Sequence, residues 1–97
     1  MLYLTSLIEG QRTVVPLEDG ITFIGRDSSC AIRLDFPDVS ERHALLSVSD
    51  GKAILKDLNS SNGTLVNGVY IDDEVQLNDS KVIQIGSSMF RISNSDP

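Results

Sequence analysis

The stretch Ala44-Leu45-Leu46-Ser47-Val48-Ser49-Asp50-Gly51-Lys52-Ala53-Ile54-Leu55-Lys56-Asp57 decides the fold class. Two apolar runs flank Asp50-Gly51. Both turn residues tolerate positive φ, which makes the pair a strong hairpin signal. The same punctuation recurs along the chain. Five of the seven glycines follow an acidic or amide residue: Glu9-Gly10, Asp19-Gly20, Asp50-Gly51, Asn62-Gly63 and Asn67-Gly68. Turn signals at roughly 8–12-residue spacing predict a sandwich or barrel of many short strands.

The runs between the turns fit that expectation. Leu2–Leu7 and Thr13–Pro16 read as a first hairpin, and Ile21–Ile24 and Ala31–Leu34 flank a polar loop. Thr64–Val66 pairs with Val69–Ile71 across Asn67-Gly68, and Glu74–Leu77, Val82–Ile85 and Met89–Ile92 close the chain. Alternation is clearest late: Ile83 and Ile85 share one face, Val82 and Gln84 the other, and Phe90 and Ile92 repeat the pattern. No capped window of about ten or more residues has helical spacing, so the class is all-β. Pro16 cannot donate to a ladder and is expected to close an edge strand. Residues 1–93 read as the domain. Residues 94–97 are a polar tail or the start of a linker, which makes the chain in expectation one domain of something longer.

The 97 residues leave room for one core, burying roughly two-thirds of the unfolded surface. An apolar fraction of 40% and a charged fraction of 23% are those of an ordinary globule. With no transmembrane run and no charged-then-apolar leader, the default location is the cytoplasm, away from membranes. The single Cys30 excludes an internal disulfide framework and reads as a small buried residue rather than a reactive thiol. A net charge of −6 argues against nucleic acid, whose binding rests on neutralising phosphates with Lys and Arg. Any anionic ligand has to be won locally, against a repulsive background screened beyond about 8 Å.

The segment Phe23-Ile24-Gly25-Arg26-Asp27-Ser28-Ser29-Cys30 offers such a place. A guanidinium where a strand gives way to a loop holds an anion in its fixed fork of donors. Two later loops, Val39-Ser40-Glu41-Arg42-His43 and Asn59-Ser60-Ser61-Asn62-Gly63-Thr64, are expected to complete the pocket. Arg26 has two readings: a surface arginine paired with Asp27 or another acid, or a phosphate clamp whose charge-assisted bonds contribute roughly 1.5–3 kcal/mol each. Gly25 permits a close approach that a Cβ would block.

Ser40 and His43 invite a nucleophile–base hypothesis, but catalytic dyads are defined by spatial geometry and an orienting third group, not by local spacing. The structural alternative is a loop serine and a histidine that ties loop backbone together. In Asp57–Thr64, small side chains either cap their own backbone or, at Ser61 and Asn62, point outward as ligand donors, and the two roles are compatible. Asp72-Asp73-Glu74 lacks the spacing of a metal-binding loop and reads as a solvated turn. No Cys/His cluster, paired-acid motif or glycine-rich phosphate loop entering a helix supports enzyme chemistry, a cofactor or a metal.

Taken together, Ile24-Gly25-Arg26, Ser40-Glu41-Arg42-His43 and Asp57-Leu58-Asn59-Ser60-Ser61-Asn62-Gly63-Thr64-Leu65-Val66-Asn67-Gly68 resemble the forkhead-associated (FHA) domain family, which binds phosphothreonine. The resemblance runs from the first strand to Ile92. It implies an FHA/SMAD-like β-sandwich of about eleven short, mostly antiparallel strands. It further implies an adaptor in kinase signalling that takes a threonine-phosphorylated protein or peptide, in cis or in trans, and without catalysis; the oligomeric state is left open, with a monomer as the default. By resemblance Arg26, Ser40 and Ser61 hold the phosphate and Asn62 bonds the peptide backbone. Gly25, His43 and Gly63 are architectural, and Asp38, Glu41 and Arg42 are peripheral specificity residues.

The family's threonine preference comes from a small pocket for the γ-methyl, which contributes about 0.8 kcal/mol by transfer. Glu41 departs from the usual basic or amide residue. At about 6 Å from a bound phosphate, its carboxylate would cost roughly 1–3 kcal/mol per phosphate charge unless it turns away, for instance toward Arg42. Asp38 disfavours an acidic residue three after the phosphothreonine. Glu41 and the net charge of −6 also keep a second reading open, a phospho-independent interaction or self-association domain acting through sheet surface or loops.

Overall fold

The computed structural model describes residues 1–7, 13–78 and 81–94. It contains eleven strands: β1 (Leu2–Ser6), β2 (Val14–Leu17), β3 (Gly20–Gly25), β4 (Ile32–Arg33), β5 (Ala44–Ser49), β6 (Lys52–Asp57), β7 (Thr64–Val66), β8 (Val69–Tyr70), β9 (Glu74–Leu77), β10 (Val82–Ile85) and β11 (Ser88–Ser93). Asp50 (φ 52°) with Gly51 (φ 73°) and Asn67 (φ 50°) with Gly68 (φ 81°) adopt the left-handed region that their hairpins require. β5 and β6 pair from Ala44↔Asp57 to Ser49↔Lys52, and β7 pairs with β8. The expected Glu9-Gly10 turn and residues 95–97 of the tail lie outside the described residues.

Two sheets result, ordered β2-β1-β11-β10-β7-β8 and β4-β3-β5-β6-β9. Every pairing is antiparallel except β3 with β4, where Ile24 lies beside Ile32. Pro16 sits exposed in β2, an edge strand, where its missing N–H leaves no ladder partner unmet. The fold is thus the all-β sandwich that the sequence suggests. Among the described residues no helix is long and apolar enough to cross a membrane.

Alternation places Leu4, Ile83, Ile85 and Ile92 of one sheet and Ile24, Leu46 and Leu55 of the other inside, each at most 1% exposed. A one-residue slip in any of these strands would turn its apolar set outward, so the core fixes the register. That register in turn sets where the loops emerge. Ile24, Ala44 and Asp57 lie in one row across β3, β5 and β6. The exit of β3, the entry of β5 and the exit of β6 therefore share one end of the sandwich. All three loops singled out in the sequence leave from there.

Candidate functional site

The three loops are bolted together through main chain. Arg26 N donates to Ser40 O and Asp27 N to Glu41 O, each at 3.0 Å, so residues 26–27 run as a short ladder beside 40–41. Gly25 makes this approach possible. A Cβ there would lie 2.2 Å from the carbonyl oxygen of Glu41, closer than any atoms can pack. The same Glu41 carbonyl accepts the buried Cys30 thiol at 3.3 Å, and Arg33 Nε donates to Arg26 O at 3.0 Å.

His43 is fully buried and joins two loops. Its Nδ1 accepts from Ser40 N at 3.1 Å and its Nε2 lies 2.8 Å from Gly63 O. With the carbonyl requiring a donor, the Nε2–H tautomer is assigned. Both ring nitrogens are thus committed to backbone, and neither engages Ser40 Oγ. The serine–histidine dyad weighed from the sequence is not formed. Ser40 Oγ instead accepts from Ser61 N at 3.0 Å, which leaves its own proton free to donate elsewhere.

Asp57 organises the loop between β6 and β7. It accepts from Ser60 Oγ (2.5 Å), Thr64 Oγ1 (2.8 Å) and Ser60 N (3.2 Å), while Gly63 N donates to Ser60 Oγ (3.0 Å). Burial pushes this carboxyl up, but the hydroxyls of Ser60 and Thr64, the Ser60 N–H and the nearby His43 outweigh it and hold Asp57 below its ordinary value. Asn59 (φ 56°) and Gly63 (φ 84°) complete the tight path. Asn62 is exposed, and its Nδ2 donates to Asp38 O at 3.0 Å, tying this loop to the one before β5. Its second N–H and its amide oxygen are not used in that bond.

Arg26 is exposed, and no hydrogen bond or ion pair within the described residues holds its guanidinium. It lines a shallow depression of about 310 Å³ with Asp27, Ser28, Arg33, Asp35 and Glu41. Asp27 is held below its ordinary value chiefly by the Ser29 hydroxyl, against a smaller effect of burial, and with help from neighbouring N–H groups and the charge of Arg42. It remains a carboxylate beside the arginine. Arg33 and Asp35 approach to 3.8 Å in solvent, a contact of little energetic weight.

Ser40, Ser61 and Asn62 lie outside that depression but one main-chain bond from it, through Arg26 N and Ser40 O. Glu41 stays at the depression rather than turning to Arg42. Among the described residues Glu41 and Arg42 form no ion pair, and Arg42 places its guanidinium 4.9 Å from the centre of the Phe23 ring. Asp38 packs its carboxylate against Gly86, and its Oδ1 is buried with no partner among the described residues.

The family model for the FHA domain matches residues 22–86, about two-thirds of the chain. The chain belongs to the FHA domain family. Mouse proliferation marker protein Ki-67 is 38% identical over 81 residues, 84% of this chain and 2% of that protein. FhaA of Mycobacterium tuberculosis is 39% identical over 82 residues, 84% of this chain and 15% of that protein. The chain therefore spans a small part of the relatives it matches.

Among solved structures, the FhaA FHA domain complexed with the intracellular domain of Rv3910 is similar with a TM-score of 0.88 and 35% identity, over 95% of this chain and 99% of that one. Mycobacterium tuberculosis EmbR in complex with a low-affinity phosphopeptide has a TM-score of 0.90 and 33% identity, over 99% of this chain and 25% of that one. An FHA domain from a study of phosphothreonine-dependent FHA domain interactions has a TM-score of 0.89 and 34% identity, over 99% of this chain and 97% of that one.

Three residues that shape the site of this FHA domain are at most partly legible in the sequence. Asp57 heads a visible Asp-x-x-Ser cap spacing, yet its bond to Thr64 needs the loop closed. Arg33 reaches Arg26 O only because β3 and β4 pair in parallel. Tyr70 lies in β8, yet its ring covers Gly63. A Cβ built on Gly63 would stand 2.7 Å from two of its ring carbons.

Proposed function

We propose that this FHA domain binds threonine-phosphorylated proteins or peptides as an adaptor in kinase signalling and carries out no chemistry on them. One observation carries this reading. The exposed Arg26 guanidinium has no partner within the described residues, at a junction tied through main chain to Ser40 and through Ser40 Oγ to Ser61. A guanidinium with no internal bond to break, beside a hydroxyl proton free to donate, suits a doubly charged ester. Arg26, Ser40 and Ser61 take the phosphate in this reading, and Asn62 turns its remaining amide groups to the peptide backbone. Gly25, His43 and Gly63 hold the loops in place. The FHA domains of similar structure that are complexed with a phosphopeptide or a protein domain support it.

The test is an oriented phosphothreonine peptide library, followed by matched phosphorylated and unphosphorylated peptides against wild type and Arg26→Ala. The expected result is strong phosphate dependence, lost by about a hundredfold in Arg26→Ala at nearly unchanged melting temperature. Equal affinity of the two proteins for the phosphopeptide sinks the clamp.

A second reading, phospho-independent association through sheet surface, has one observation in its favour. Ile21 and Ile54, 64% and 39% exposed, lie in one row across Ser47 on the outer face of the β4-β3-β5-β6-β9 sheet. Sedimentation of wild type against Ile21→Asp, which shows self-association or its absence, separates the two.

A further inference from the structure

Arg26 is held at its main chain while its side chain stays free. Its N–H donates to Ser40 O, and its carbonyl accepts from Arg33 Nε, each at 3.0 Å. The first of these bonds, with that from Asp27 N to Glu41 O, joins the loop after β3 to the loop before β5. Those bonds tie one loop to another, whereas the Arg33 bond ties them to a strand. Arg33 ends β4, and the parallel pairing sets it beside Gly25, the residue before Arg26. The guanidinium of Arg33 also approaches Asp35 at 3.8 Å, and Arg33 lines the same depression as Arg26.

We propose that Arg33 is the positioning residue of the phosphate clamp: by donating Nε–H to the Arg26 carbonyl, it fixes the point from which the free guanidinium reaches the phosphate. The proposal rests on the phosphothreonine reading above and adds a residue that need not touch the ligand. Arg26 already has to order its long side chain when a phosphate arrives. A loose main chain would have to be ordered as well, and fixing the backbone of one residue is worth about tenfold in an equilibrium constant.

Charge is the competing account. The depression sets the carboxylates of Asp27, Asp35 and Glu41 against two guanidiniums, so Arg33 also moderates a repulsive field. The two accounts part at Nε. Lysine keeps the charge but carries a methylene where arginine carries Nε–H, so Arg33→Lys removes the donor from that place and leaves the field.

The experiment measures the affinity of the full chain for a phosphothreonine peptide and for its unphosphorylated match. The proteins are wild type, Arg33→Lys, Arg33→Met, Arg26→Ala and the double variant Arg26→Ala/Arg33→Lys. Lys and Met both keep an aliphatic stem in the cleft that Arg33 lines with Val15, Leu34 and Phe36, so the melting temperature should be nearly unchanged. Arg33→Lys and Arg33→Met should each bind the phosphopeptide about tenfold more weakly than wild type, by the same ratio at low and high salt. Without Arg26 there is no guanidinium left to aim, so adding Arg33→Lys to Arg26→Ala should change affinity by less than about twofold. Arg33→Lys decides the matter alone if Arg33→Met does not fold.

Wild-type affinity in Arg33→Lys overturns the positioning role, and a loss confined to Arg33→Met assigns Arg33 to charge. A tenfold loss that persists in the Arg26→Ala background overturns it too, because Arg33 would then act on the ligand without Arg26. Absence of phosphate dependence in wild type is a separate result, which defeats the phosphothreonine reading itself.

Discussion

Ser61 N donates to Ser40 Oγ across 3.0 Å, so the loop before β5 and the loop before β7 meet at a serine hydroxyl that still has its own proton to give. One atom serves two roles. Removing it hands the exposed Ser61 N–H to solvent and takes a donor from the candidate phosphate site.

Ser40→Ala should therefore separate from Arg26→Ala in kind. We expect Ser40→Ala to cost about 1 kcal/mol of stability in urea denaturation and to weaken phosphopeptide binding by tenfold or more. Arg26→Ala should show only the binding loss. If Ser40→Ala keeps full stability, the bond to Ser61 carries no weight.

Gly25→Ala is predicted to be the most damaging small substitution. The added methyl would stand 2.2 Å from the Glu41 carbonyl oxygen and 2.8 Å from its carbon, both backbone atoms held by the ladder from Arg26 and Asp27. A loss of more than about 3 kcal/mol, or failure to fold, is expected in thermal and urea unfolding. A soluble variant with unchanged melting temperature would mean that the ladder is not maintained in solution.

Glu41 shares the depression with Arg26 and contributes its carbonyl, not its carboxylate, to the ladder. Glu41→Gln keeps the backbone and removes a charge that repels phosphate. Phosphopeptide affinity should rise by about three- to tenfold at low salt, and the gain should shrink at high salt as screening takes over. Isothermal titration at two ionic strengths decides it, and a gain independent of salt would rule out the charge as its cause.

Asp57 predicts a pH dependence. Its folded-state pKa lies below the ordinary 3.8, because hydrogen bonds from Ser60 and Thr64 overcome burial. A depressed carboxyl stabilises the fold above its unfolded pKa and loses that contribution as pH falls through the folded value. In Asp57→Asn the stability deficit relative to wild type should be largest near neutrality and narrow below about pH 4. Urea midpoints measured from neutral to acid pH provide the check. A deficit constant with pH would assign the role of Asp57 to geometry alone.

The strands were legible because short apolar runs between Asx-Gly pairs admit few other readings. The run Ala44–Asp57 closes into the hairpin it suggests, and Asn67-Gly68 takes the φ values its residues permit. What the runs do not carry is their order in space. Nothing local in Ile21–Ile24 and Ala31–Leu34 signals a parallel contact, and with it the bond from Arg33 to Arg26 stays hidden.

The site residues were visible as types in sequence, but their partners were not. His43 reads as a loop tie, yet that it spans from Ser40 to Gly63 depends on the row Ile24–Ala44–Asp57. Local charge pairing suggested Arg42 for Glu41. The aromatic face of Phe23, three residues before Arg26 in the chain, is where Arg42 goes instead.

The imidazole of His43 also bears on how a ligand arrives. A single planar ring with one nitrogen bonded to each bank of the cleft couples the two banks, so part of the ordering of the cradle is completed during folding rather than at encounter. Arrival should then be limited by diffusion and orientation, and differences among cognate sequences should appear as residence times.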